Sequence, residues 1–235
     1  MFRSLSGVRT FMHAAAAILI ATAVAAVPGQ AQNRRITRET NANRRARIER
    51  IERETYTHRW EIGGGGGFLR FRSGEATQKN SEIGFWMNGT YYLSEKLGVT
   101  GEIRGFYGNG KIPNYNPFAA LVGNPQISEY PFLAGPTYRF RLRQHTAVSA
   151  FALGGTAIGK FDSASKGVPA SQLGFWPSTS ARPAFSVGAN FDLNFYPNLA
   201  FRVTPNYLGT TFGGNLQNNW GFNMGLVYRF GRQQH

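Results

Sequence analysis

Between Ala184 and Phe195 the chain alternates without a break: Phe185, Val187, Ala189, Phe191, Leu193 and Phe195 are apolar, while Ala184, Ser186, Gly188, Asn190, Asp192 and Asn194 are small or polar. A period of two belongs to a β-strand with one dry face; a helix would return its apolar residues to one face at every third or fourth position. The pattern recurs after Tyr196-Pro197-Asn198, where Leu199, Phe201, Val203 and Tyr207 alternate with Arg202, Thr204 and Asn206. It recurs again near the C-terminus, with Trp220, Phe222, Met224, Leu226, Tyr228 and Phe230 opposite Gly221, Asn223, Gly225 and Arg229.

Earlier segments repeat it. Ile83, Phe85, Met87, Tyr91 and Leu93 oppose Glu82, Gly84, Asn88 and Thr90; Leu97, Val99 and Ile103 oppose Thr100, Glu102 and Arg104; Tyr130, Phe132, Tyr138 and Phe140 oppose Glu129, Thr137, Arg139 and Arg141. Residues 146–161 leave their phase open, with Phe151, Leu153 and Phe161 against Lys160. In the first strand, His58 to Arg72, Trp60 and Ile62 share one parity and Leu69 and Phe71 the other, which predicts a bulge or slip within Gly63–Gly67. About eight strands result, an even number that closes an up-and-down antiparallel barrel. The connections alternate, short at 94–96, 142–145 and 196–198, longer at 73–80, 108–127, 162–183 and 213–219.

Alternation alone does not say which face is dry. An eight-stranded barrel encloses a lumen too narrow for this many large side chains, so they are expected to face outward, which only lipid makes favourable. Trp60, Tyr91, Tyr138, Phe140, Phe195, Tyr228 and Phe230 then form an interfacial girdle near the short turns, and Phe71, Tyr107, Tyr130, Phe161, Phe185, Tyr207 and Trp220 a second near the long loops. The inward charges divide the same way. Glu61, Arg139, Asp192, Arg202 and Arg229 are expected in the half near the turns, Asp192 level with Arg202. Arg70, Arg72, Glu82, Glu102, Arg104 and Glu129 are expected in the other half, Glu82 facing Arg70 and Arg72. Charges confined there are costly unless paired, so the set reads as a plug, with a narrow gated ion pathway as the alternative.

The N-terminus has a different character. Arg3 and Arg9 precede an apolar stretch from Ala14 to Val27 and a small-residue site at Gln30-Ala31, the pattern of a signal peptide over residues 1–31. Residues 32–57 form a basic arm, and residues 32–59 hold nine Arg and four Glu with Ile48 and Ile51 as the only aliphatic stripe. Such a segment predicts a solvated tether, partly helical or disordered, with a periplasmic arm that touches anionic lipid or cell-wall polymer as the alternative. The formal charge of +14 is therefore spread between arm, lumen, turns and loops, which argues against a nucleic-acid binder.

The export signal, the amphipathic strands over residues 58–230 and the closing Trp220-Gly-Phe-Asn-Met-Gly-Leu-Val-Tyr-Arg-Phe230 resemble small bacterial outer-membrane β-barrels of the OmpA transmembrane-domain, OmpX and OmpW type. The resemblance implies a cell outer membrane of a diderm bacterium, contact with its lipid, recognition of the last strand by the barrel-assembly machinery, and a monomer. Residues 231–235 follow as a tail where many members end at the aromatic.

Catalytic readings find little footing. The chain has no Cys and four His, at positions 13, 58, 145 and 235, none spaced for a triad or a metal cluster. Gly63–Gly67 lacks the frame of a dinucleotide loop, and Gly105–Lys111 is followed by Ile112 where a P-loop needs a hydroxyl. The expectation is an all-β, non-enzymatic barrel without cofactor or metal, its loops 108–127 and 162–183 a contact surface. A small porin or carrier of ions or apolar solutes stands as the alternative.

Overall fold

The computed structural model describes residues 40–75 and 77–232. The expected signal peptide, the start of the arm and the last three residues lie outside them. A helix, α1 (Asn41–Tyr56), precedes eight strands: β1 (His58–Arg72), β2 (Lys79–Tyr92), β3 (Leu97–Asn109), β4 (Gln126–Leu142), β5 (Thr146–Ser163), β6 (Thr179–Tyr196), β7 (Leu199–Thr210) and β8 (Gln217–Arg232). One-turn helices occupy the loops, including α2 (Ala119–Val122) and a 3-10 turn at Ala170–Leu173. Among the described residues no helix is long and apolar enough to cross a membrane.

The strands pair in sequence order and close, β8 lying antiparallel to β1. Closure removes both sheet edges, so every strand has its backbone partners within the barrel. The strands run further than alternation alone suggests: β4 starts at Gln126, β6 at Thr179, and β8 continues to Arg232, which pairs with His58. Connections at one end are tight, with Leu93 N donating to Leu97 O at 2.9 Å and Arg143 N to Thr146 O at 3.0 Å. Those at the other end are longer and pack on one another.

β1 contains no bulge. Its register with β2 runs unbroken from Trp60↔Tyr91 to Arg72↔Lys79, and with β8 from Trp60↔Phe230 to Arg70↔Trp220. One parity therefore points inward throughout: Glu61, Gly63, Gly65, Gly67, Leu69 and Phe71. Leu69 and Phe71 are fully buried, while Arg70 and Arg72 face outward and are exposed. The slip expected in the glycine run rested on the assumption that apolar side chains always face out. The phase of β5 settles likewise, with Phe151, Leu153, Ala157 and Phe161 inward. A true irregularity falls between Arg139 and Arg141 on β4, where the shift leaves Arg141 exposed instead of sharing the inward face with Arg139.

The glycines in β1 make room for two rings. Trp86 points inward from β2, lies against Gly63 and donates its indole N–H to Met224 O on β8 at 3.2 Å, two strands away. A Cβ at Gly63 would stand 3.0 Å from that indole, and one at Gly67 3.1 Å from Phe106 of β3. Outward Gly66, by contrast, meets nothing nearer than 4.0 Å. Gly63→Val should thus destabilise the barrel by about 1–3 kcal/mol through overpacking, seen as a lower temperature for loss of the compact folded band on gels. Gly66→Ala should leave that temperature unchanged, and equal effects of the two would contradict this packing.

The lumen as candidate functional site

Near the turn end, the inward residues of β1, β4, β6, β7 and β8 converge on two carboxylates and three guanidinium groups. Arg202 holds Asp192 through two hydrogen bonds, at 2.6 and 2.8 Å, and its Nη2 lies 2.7 Å from Glu61 Oε1. Asp192 and Arg202 are direct cross-strand partners, which fixes this geometry. Arg229 donates to Glu61 Oε2 at 3.0 Å and to Asp192 Oδ2 at 2.8 Å, and Arg139 reaches Glu61 Oε2 at 3.0 Å. All five side chains are at most 4% exposed.

Three guanidinium groups face two carboxyl groups, and aromatic faces meet the cation in excess. The Arg139 guanidinium sits 3.4 Å from the centroid of Tyr92 and 5.6 Å from that of Tyr56; Arg229 lies 5.7 Å from Tyr56. A desolvated cation over an aromatic ring gains about 2 kcal/mol. Tyr56 is the C-terminal residue of α1, so this end of the helix is tied to the barrel. Its hydroxyl donates to Arg143 O at 2.6 Å and accepts from Asn194 Nδ2 at 2.9 Å, while Glu52 accepts from Gln144 N at 3.0 Å. Burial holds this hydroxyl above its ordinary pKa against the pull of Asn194 and Arg229, which keeps it a neutral donor.

A second network occupies the middle. Arg104, with no exposed surface, donates to Glu102 at 2.6 Å, Asn206 at 2.8 Å and Ser186 at 3.0 Å. Nearer the turns, the hydroxyls of Thr90, Thr100 and Thr137 form a chain across three strands at 2.8 and 2.6 Å.

The loop half differs from expectation. Glu82 and Glu129 are fully buried, but their carboxylate oxygens meet no donor in the protein; Arg70 and Arg72, expected to face Glu82, stand on the outer wall. Apolar side chains fill this half. Phe71 and Phe161 stack at 5.8 Å and Phe212 closes edge-on at 5.1 Å from Phe161, where Phe71 and Phe161 were expected in an outer girdle. Leu69, Phe106, Ile127, Leu173, Phe175 and Leu208 join them, with Phe118, Val122 and Trp176 packed over the top. The loops cover this end, so its inward face is dry and favours apolar residues as any protein core does.

Of the aromatics expected at the interfaces, Trp60, Tyr91, Tyr138, Phe195, Tyr207, Trp220, Tyr228 and Phe230 all lie on the outward parity. The sequence reading missed Trp86, Tyr92 and Tyr56, and it placed Asn194 on the polar face without giving it a part in the network. Trp86 and Tyr92 share the inward parity of Glu82, Asn88 and Thr90, and that parity was the available signal. Tyr56 precedes β1 at the end of a polar helix and gave none. No group of three or more His, Asp or Glu side chains able to hold a metal forms among the described residues.

No protein-family model matches the chain, and no curated protein matches it in sequence. Solved structures do. Neisserial surface protein A superposes with a TM-score of 0.54 at 11% identity, covering 73% of this chain and 97% of that one. Outer membrane protein OprG from Pseudomonas aeruginosa superposes with a TM-score of 0.54 at 15% identity, covering 75% and 98%. The class is thereby defined by fold: this chain has the eight-stranded barrel of small outer-membrane proteins.

Two substitutions separate the observed network from the expected one. Glu61→Gln leaves buried cations short of a partner and should cost about 3–5 kcal/mol, whereas Arg70→Gln on the outer rim should change stability by about 0.5 kcal/mol or less. Urea unfolding in detergent micelles measures both; a large loss from Arg70→Gln would return that residue to the lumen.

Proposed function

We propose that the protein is a non-enzymatic integral outer-membrane barrel with a structural and surface-interaction role, its lumen serving as a plug. One observation supports the reading: the outer wall is apolar, while the buried inward side chains are ion-paired in the turn half and apolar in the loop half. Ile62, Ile83, Met87, Ile103, Phe132, Leu193 and Leu226 present a belt that water would disfavour, bounded by aromatic residues at both ends. Inside, charged groups close the turn half and phenylalanines the loop half, with Tyr56 at one mouth and the loops over the other.

In this reading the tight turns and α1 lie in the periplasm and the long loops outside. The outer surface is then a tied platform. Asn116 Nδ2 donates to Gln172 O at 2.8 Å, Lys166 Nζ to Leu121 O at 2.7 Å, and Trp176 Nε1 to Arg72 O at 3.0 Å, which links loops 110–125 and 164–178 to each other and to β1. β8, whose outward residues run from Trp220 to Phe230, is the segment offered to the barrel-assembly machinery. In this reading the exposed Arg44, Arg45 and Arg53 of α1 face the periplasm, where anionic lipid or cell-wall polymer suits their charge. The barrel acts as a monomer, its closed sheet leaving no edge for a second copy.

In planar bilayers the folded protein should insert, show heat-modifiable gel mobility and give no steady conductance. Steady ion-selective opening, abolished by Arg104→Gln, would contradict the plug and favour a channel. Tyr56→Ala should keep the compact band but expose Arg44–Arg53 to trypsin, since the helix loses its anchor; unchanged cleavage would contradict the docking.

A further inference from the structure

Arg70 and Arg72 leave the lumen network and join something else. They stand on the outward face of β1, where Arg72 pairs directly with Lys79 of β2 and Arg70 with Ser81. Arg70 Nη1 donates to Ser81 Oγ at 2.8 Å, which fixes its guanidinium over β2. Lys111 enters from the next loop, so Arg70, Lys79 and Lys111 line one cleft of about 420 Å³ whose lining has no carboxylate. Glu75 lines the adjoining cleft with Arg72 and Lys79. Among the described residues none of these four bases makes an ion pair.

Like charges directly opposite on one face of a sheet repel, so the Arg72–Lys79 pair, with Arg70 on the diagonal, is unfavourable as it stands. Its height gives it a use. The next outward residues toward the middle are Phe68 and Ile83, and Arg70 sits side by side with Trp220, which is 64% exposed. The cationic cleft thus lies directly above the apolar belt at its aromatic border, the depth of lipid headgroups. Arg guanidinium groups bind phosphate oxygens through paired charge-assisted bonds, and Lys adds a compact charge.

We propose that Arg70, Arg72, Lys79 and Lys111 form a binding site for the phosphate of a phosphorylated glycolipid headgroup in the outer leaflet. A bound phosphate offsets the mutual repulsion of the bases while its acyl chains lie along Phe68, Ile83 and Trp220. The site gives the barrel a fixed lipid on the β1–β2 side, apart from the lumen. It rests on the outer-membrane reading above.

The test inserts the full chain into phosphatidylcholine vesicles containing either bisphosphorylated lipid A or the same lipid A stripped of phosphate, extracts it mildly and measures retained lipid A per folded barrel. The wild-type barrel should retain the phosphorylated form with about tenfold preference. The Arg70→Gln, Arg72→Gln, Lys79→Gln triple variant should lose that preference, while Lys160→Gln with Arg182→Gln, exposed bases on β5 and β6, should keep it. Equal retention of the two lipids by the wild type, which needs no variant to fold, would overturn the proposal; so would an unchanged preference in the triple variant, or displacement of lipid A by equimolar inorganic phosphate. A chain that never inserts would defeat the outer-membrane reading itself, whereas an inserted chain without phosphate preference would defeat only this site.

Discussion

Closing eight strands leaves one narrow lumen, and every inward side chain on every strand has to fit into it. That constraint organises the rest of the molecule. Where two carboxylates and three arginines meet, each guanidinium is satisfied by several strands at once: Arg229 alone joins Glu61 of β1, Asp192 and Asn194 of β6. Such pairing offsets the large desolvation cost of buried charge, and it also cross-ties strands that the backbone ladder links only to their neighbours. Where rings must enter, the facing strand gives up its side chains, as Gly63 and Gly67 do opposite Trp86 and Phe106.

The two halves of the lumen solve the same problem in opposite ways. At the turn end there is little loop to cover the mouth, and the charged network is closed by Tyr56, with aromatic faces taking up the surplus cation. At the loop end the connections fold over the opening, water is excluded, and Phe71, Phe161 and Phe212 pack as an ordinary core. Glu82 and Glu129 lie within that half without protein partners, which makes it the least compensated part of the interior.

Much of this was legible in the alternation. On β2, β6, β7 and β8 most large apolar residues fall on one parity and the structure places them on the outer wall, with Trp86, Tyr92, Leu208 and Val227 as inward exceptions, so pairing order and turn positions follow. The rule behind that reading, large apolar residues out and small or polar residues in, fails where the lumen is dry. β1 shows why: five consecutive glycines carry no side chain to mark a parity, and beyond them Leu69 and Phe71 point inward while Arg70 and Arg72 point out. β5 was ambiguous for the same reason, since Ala, Gly and Thr dominate its middle. Loop coverage is a long-range property that no local period encodes, and Tyr56 lies outside any strand pattern.

In the proposed reading the lumen is a filled interior, neither an aqueous channel nor a lipid-facing surface. The chain has four tryptophans, of which Trp86 alone lies on an inward strand face. A variant with Trp60, Trp176 and Trp220 replaced by Phe, folded into vesicles, isolates the fluorescence of Trp86. It should be quenched neither by iodide in the aqueous phase nor by lipids brominated along their acyl chains. Quenching by iodide would reveal a water-filled lumen, quenching by brominated lipid an inverted strand parity, and either result would contradict the account.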